Sequence, residues 1–171
     1  MSKQIIYKLF FVILVFLLYN AANLAAPKTK VLIPKNSKAP ISILISGKSL
    51  KYYPLSVDES SVLTTRGPGK LKIITRGHFS SPTEKRLSYN VYYRINGAEK
   101  VKVEFNNVKP DDKSSFEQSS FGFPSVGENI IIELSRGEHT IELWSGSKSL
   151  KISTRVLFTL TKEKKIDWVS L

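Results

Sequence analysis

The chain has 171 residues, 26 Lys and Arg against 14 Asp and Glu, and no cysteine, giving a formal net charge of +12. The length suits a single domain. Without cysteine there is no disulfide scaffold, thiolate zinc site, thiol nucleophile or lipid-modified cysteine, and with two histidines, His78 and His139, there is no His-rich metal site.

Residues 1–25 read as a secretory signal peptide. Lys3 and Lys8 make a basic start, residues 9–18 are an unbroken apolar run, and Asn20 to Ala26 are small and mildly polar. This is the n-region, h-region, c-region order, and the run is shorter than the roughly 20 residues that span a bilayer. Cleavage is expected after Ala25 or Ala22, because Pro27 disfavours a cut directly after Ala26. An uncleaved anchor is the alternative, and would be the one contact with a membrane. The protein is therefore expected to be exported, periplasmic or extracellular. Removing Lys3 and Lys8 leaves 24 basic residues against 14 acidic ones, a net +10. Outside a cell such a charge meets cell-wall polymers, lipopolysaccharide phosphates and acidic glycans, so nucleic acid is not an expected partner.

Residues 26–40 form a linker or arm rich in lysine and proline, with Val31, Leu32 and Ile33 as a short edge strand. From residue 41 to 160 the apolar period is two, which predicts strands. Ile41, Ile43 and Ile45 alternate with Ser42, Leu44 and Ser46. Weaker strand signals cover 52–57 and 62–66. Gly67-Pro68-Gly69 reads as a turn, followed by a strand over 70–76 and a loop over 77–86 that holds His78.

The next pair of strands permits a register argument. Leu87, Tyr89, Val91, Tyr93 and Ile95 are apolar at odd positions, as are Val101, Val103 and Phe105 after Asn96-Gly97. Directly opposed residues share a face. A simple two-residue turn would set Val91 against Lys102. A connection of odd length, or a turn plus a bulge, sets Tyr93 against Val101, Val91 against Val103 and Tyr89 against Phe105. Residues 106–127 form a long loop with Phe116, Phe121 and Phe123.

Farther on, Ile130, Ile132 and Leu134 are even, whereas Ile141 and Leu143 are odd. A hairpin turning at Arg136-Gly137 reconciles the two, pairing Ile132 with Ile141 and Ile130 with Leu143. The last strand carries Leu150, Ile152, Val156, Phe158 and Leu160. Residues 161–171 are a tail with Lys162, Lys164, Lys165 and Trp168. After residue 40 no segment sustains a 3.6-residue apolar period, so no long helix is expected.

Seven or eight one-sided strands without covering helices predict a two-sheet antiparallel β-sandwich, immunoglobulin-like or jelly-roll in type. A small closed barrel is the alternative. The segment 132–143, with the pattern Leu-x-x-Gly-x-His-x-Ile-x-Leu, resembles hairpins of secreted β-sandwich modules, carbohydrate-binding and immunoglobulin-like ones among them. That resemblance implies the fold class and transfers no functional residue.

No enzyme motif is present, and neither a cofactor nor a metal is expected. His139 and His78 read as structural histidines. Glu133 and Glu142, on neighbouring strands of the expected hairpin, have the makings of a glycosidase pair, but more naturally form a solvated face balanced by Lys151 or Arg155. Tyr92 and Trp144 are out of phase with the apolar faces of their strands. They are therefore candidate exposed rings for stacking on a sugar, with Asn90, Arg94 and Glu104 nearby to read its hydroxyls. Phe116, Phe121 and Phe123 either tuck under their loop or form a partner contact. The expected function is an exported, non-enzymatic binding module of the cell envelope, with an envelope protein or a glycan as partner. A carbohydrate-binding module is the alternative, and an envelope hydrolase the less favoured one.

Overall fold

The computed structural model describes residues 28–36 and 39–161. The expected signal peptide, the lysine cluster of the tail and Trp168 lie outside the described residues. The strands are β1 (Thr29–Leu32), β2 (Ile41–Ile45), β3 (Lys48–Pro54), β4 (Ser61–Phe79), β5 (Leu87–Ile95), β6 (Val101–Val108), β7 (Ser114–Phe116), β8 (Phe123–Pro124), β9 (Glu128–Ser145) and β10 (Ile152–Leu160). Among the described residues the one helical element is the 3-10 turn Ser119–Phe121. The fold is all-β. The strands make one antiparallel sheet in the order β6-β5-β9-β4-β10-β3-β2-β7, with β1 added to β10 and β8 to β4.

Local turn chemistry sets two of the hairpins. Ser46 and Gly47, at φ 48° and 78°, close β2 onto β3 with Ile45 opposite Lys48. Both central residues have positive φ, as the tight turn matching strand twist requires. Asn96 and Gly97, at φ 51° and 73°, begin the connection from β5 to β6. There Tyr89 faces Phe105, Val91 faces Val103 and Tyr93 faces Val101, the register that the odd apolar positions predict. The edge strand expected in the lead-in is β1, paired to β10 with Leu32 opposite Val156.

Two expected turns are not turns. Gly67-Pro68-Gly69 lies inside β4, and Arg136-Gly137 lies inside β9. The two strands pair along nearly their whole length, from Ser61 opposite Leu143 to Thr75 opposite Glu128, with one register shift at Gly67/Gly69. Ile132 therefore faces Leu71 and Ile141 faces Leu63, instead of facing each other. The shift spans two residues of β4 against three of β9, from Gly67–Gly137 to Gly69–Leu134. The extra residue is a β-bulge. It moves the buried positions of β9 from even to odd, so Ile130, Leu134, Ile141 and Leu143 all reach one core.

That core also holds Leu32, Leu63, Leu71, Ile73, Val156 and Phe158. Leu63, Ile73, Ile141 and Leu143 are fully buried with no helix to cover them, so the sheet curls over its own apolar face. The lead-in helps to close the curl. After β1, Lys35 N donates to Val62 O (2.8 Å), and the Asn36 side chain bonds Ser60 O and Val62 N. A second cluster joins Ile41, Ile43, Tyr52 and Phe116, and a third joins Tyr89, Val91, Val108 and Ile152. The end of β4 runs between them, and Thr75 to Phe79 are all buried.

Candidate functional site

The outer side of β9, β5 and β6 brings together most of the residues singled out as a ligand platform. Trp144 of β9 is opposite Tyr92 of β5, which is opposite Lys102 of β6. In the next row Glu142 is opposite Arg94, and in a third row Asn90 is opposite Glu104. The strands hold these residues side by side because their alternation puts every second side chain on this face.

Electrostatics knits the rows together. Arg94 donates from Nε to Glu142 Oε2 and from Nη2 to Glu142 Oε1, both at 2.7 Å, in a two-point fork. Those hydrogen bonds draw the Glu142 carboxyl below its ordinary range and hold the Arg94 proton more firmly. Lys102 pairs with Glu104, which raises the pKa of the Lys102 ammonium. Lys100, from the β5–β6 connection, places its Nζ 3.9 Å from the centre of the Trp144 ring and 5.4 Å from that of Tyr92. Arg94 Cζ is 5.3 Å from the same indole. These distances fall within cation–π range.

The expectation of an exposed indole is corrected. Trp144 is only 9% exposed. Its parity puts it on the outer side, but Lys100 and Arg94 crowd its ring. Sequence alternation assigns a side to a ring and says nothing about what a flexible cation from a nearby loop will cover. Asn90 Oδ1 is buried with no partner, and Asn90 O accepts from Gly146 N at 2.9 Å. Gly146 has no side chain to spare, because a Cβ there would overlap the Asn90 side chain.

The two glutamates do not form a pair. Glu133 and Glu142 occupy one strand, on opposite sides of its bulge, instead of neighbouring strands. Glu133 is bridged to Lys70 at 3.2 Å and Glu142 to Arg94, not to Lys151 or Arg155. His139 is opposite Thr65. It is buried, with Nε2 on Ser135 O (2.9 Å) and Nδ1 on the Asn96 amide (3.1 Å), so both nitrogens serve the structure.

The three phenylalanines divide. Phe116, on β7, is buried and its ring centre lies 4.4 Å from that of His78. Phe121 closes the same aromatic group at 5.8 Å from Phe116. Phe123, on β8, is 44% exposed. The segment expected as a long loop is largely tied down by β7, the 3-10 turn and β8.

One polar cluster was missed by sequence reasoning. Arg76 is 6% exposed, inside β4. It donates to Asp111 Oδ2 (2.8 Å), Ser114 Oγ (3.2 Å), Tyr52 Oη (3.3 Å) and the Ser125 carbonyl. Burial raises the Asp111 pKa, but the hydrogen bonds from Arg76, Lys113 N and Ser114 outweigh it and leave the carboxyl below its usual range. His78, expected in a loop, sits on the same strand face as Arg76. Its Nε2 contacts Ser153 Oγ (3.0 Å), and its Nδ1 is buried without a partner. Burial, with the nearby charge of Lys151, pushes its pKa down to about 4.

No protein-family model and no curated protein matches the sequence. Among solved structures the chain is similar to parts of larger carbohydrate-active enzymes. An exo-β-1,3-galactanase from Phanerochaete chrysosporium is 16% identical, with 79% of this chain and 29% of that chain covered and a TM-score of 0.42. A family GH115 4-O-methyl-α-glucuronidase with specificity for decorated arabinogalactans is 12% identical, with 81% and 18% covered and a TM-score of 0.44. A cycloisomaltooligosaccharide glucanotransferase from Paenibacillus sp. is 16% identical, with 79% and 18% covered and a TM-score of 0.42. The chain thus spans less than a third of the length of each, and no residue of theirs is carried over to it.

Proposed function

We propose that the protein is an exported, non-enzymatic binding module of the cell envelope, a β-sandwich of immunoglobulin-like or jelly-roll type whose outer β9–β5–β6 face takes a glycan. The observation that carries this reading is the Trp144–Tyr92 cross-strand pair with Lys100 over both rings. Neither ring belongs to the core clusters; Tyr92 is half-buried, and the indole of Trp144 is covered by Lys100 and Arg94. Neighbouring strands are roughly 4.8 Å apart, so the pair offers a continuous strip against which the C–H face of a pyranose packs. Lys100 is a long, exposed side chain. When it swings off the indole it opens the strip and meets an acidic or hydroxyl group of the sugar. Arg94 is fixed by Glu142, whereas Asn90 Oδ1 is buried against Gly146. Arg94 is the one of the two placed to read hydroxyls.

Retention on immobilised polysaccharides tests the reading. Tyr92→Ala and Trp144→Ala should each abolish retention while circular dichroism shows the native β-sheet. If the wild-type protein is retained on no neutral or acidic glycan, the glycan reading fails. Cross-linking of an envelope protein through the exposed Phe123 would then favour a protein partner.

A further inference from the structure

We propose that a second ligand site lies at the end of β4, in a cleft of about 250 Å³ walled by His78, Ser119, Ser120, Phe121, Ser149 and Lys151, and that it takes an oxyanion group of the phosphate or sulfate kind. This site stands apart from the Trp144 face and does not depend on the glycan reading.

The cleft is built by close backbone contacts. His78 and Phe79 pair with Pro124 and Phe123 of β8, and His78 N donates to Lys151 O at 3.0 Å. The 3-10 turn closes the other side, with Gly122 N on Ser119 O at 3.0 Å. Gly122 has φ +80°, and a Cβ there would overlap the Phe79 carbonyl oxygen. A glycine at this one position lets the turn press against β4 and brings Ser119 and Ser120 to the mouth.

The chemistry of the walls is one-sided. Lys151 is the one residue of the lining with a full charge, and no carboxylate lines the cleft. Lys151 has no ion pair among the described residues. Glu84 is not part of the lining, and its carboxylate accepts from the backbone N–H of the lining residue Ser80 at 3.1 Å. The hydroxyls of Ser119 and Ser120 have no hydrogen bond within the described residues, so they are free to donate. His78 is neutral near pH 7, because burial and Lys151 oppose its protonation. The contact between Nε2 and Ser153 Oγ fits either ring tautomer, and the one in which Ser153 donates leaves the ring proton on the unpartnered Nδ1. A cation and free hydroxyls, joined in that tautomer by an imidazole N–H, are all donors, which is the demand of an oxyanion. A bound anion also offsets the charge of Lys151, so His78 should take up a proton more readily when the site is filled.

The test is an NMR titration of the full chain with inorganic phosphate and with sulfate. The expected result is saturable shifts at His78 and at the amides of residues 119–122, with the His78 titration midpoint moving up. Lys151→Met should weaken binding by about tenfold or more without changing the rest of the spectrum, and Lys151→Arg should restore it. Ser119→Ala with Ser120→Ala should weaken it as well. Absence of saturable shifts, equal binding by Lys151→Met, or a fixed His78 midpoint would overturn the proposal. Acetate binding as tightly as phosphate would overturn the assignment to phosphate or sulfate.

Discussion

Gly67 and Gly137 face each other across the β4–β9 ladder, at the point where its register changes. Each had the signature of a turn, and together they make one shared irregularity in two long strands. Pro68 has no N–H to give the ladder, and its place beside the bulge is where a sheet tolerates that loss. The bulge carries the β9 core positions from one parity to the other. Without it, one half of β9 would turn its isoleucines to solvent.

The two glycines should therefore respond differently to a side chain. A Cβ on Gly67 would overlap the backbone oxygen of Ser135, whereas a Cβ on Gly137 meets nothing but sits at φ +122°. Gly67→Ala should cost about 3 kcal/mol through overpacking against a fixed backbone. Gly137→Ala should cost about 1–2 kcal/mol through backbone strain alone. Urea midpoints of the two variants measure the order, and a smaller loss for Gly67→Ala would contradict the paired geometry.

The Arg76–Asp111 pair fastens the segment after β6 to β4. Both side chains are largely buried. Asp111→Ala leaves a buried guanidinium short of its anion and should destabilise by about 3 kcal/mol. Arg76→Met with Asp111→Leu should be milder than Asp111→Ala alone, because it strands no charge. Chemical denaturation of the three variants gives the comparison.

Acid should weaken the fold in two windows. His78 has a folded pKa of about 4 against an ordinary 6.5. Between those values the unfolded chain binds the extra proton, so stability falls as pH drops from 6.5 toward 4, by about 3 kcal/mol in all. Asp111 and Glu142 are held below the ordinary carboxylate range. Their contribution is present above the unfolded pKa near 4 and is lost as pH falls further, through their folded values. His78→Leu should flatten the first window and leave the second. Unfolding free energies measured from pH 7 to 3 show which slope disappears.

On the proposed glycan reading, Lys100 sets the preference between acidic and neutral ligands. With Trp168→Phe as background, Lys100→Ala should make the Trp144 fluorescence more accessible to acrylamide, since Nζ lies 3.9 Å from the ring. The same variant should strengthen retention on a neutral glycan and weaken it on an acidic one. Unchanged quenching would mean that the lysine does not cover the ring in solution.

Glu133 serves as the control for Glu142. Its bridge to Lys70 joins two well-exposed side chains, and Glu133→Gln should change stability by less than about 0.5 kcal/mol. Glu142→Gln breaks the fork with Arg94 and should lower retention on glycans by disordering Arg94. Equal effects of the two substitutions on retention would remove the argument for an ordered Arg94.

The alternation of residues determined a good deal on its own. It established an all-β chain, and it set the β5–β6 register, because Asn96-Gly97 closes that hairpin locally and the odd apolar positions leave one pairing. It also put Tyr92 and Trp144 out of phase with the apolar faces of their own strands, while the pairing of those strands came from the structure. It could not separate two causes of one pattern. A switch from Ile130, Ile132 and Leu134 to Ile141 and Leu143 arises equally from a hairpin and from one extra residue in an unbroken strand. The choice lay with β4, whose residues pair with β9 across a long stretch of sequence, and no local signal records such a partner. The same holds for Arg76 with Asp111 and for Lys100 over Trp144. Sequence sets which way a side chain points along its own strand. What it meets there depends on segments brought back by the curl of the sheet, and only the tertiary structure decides that.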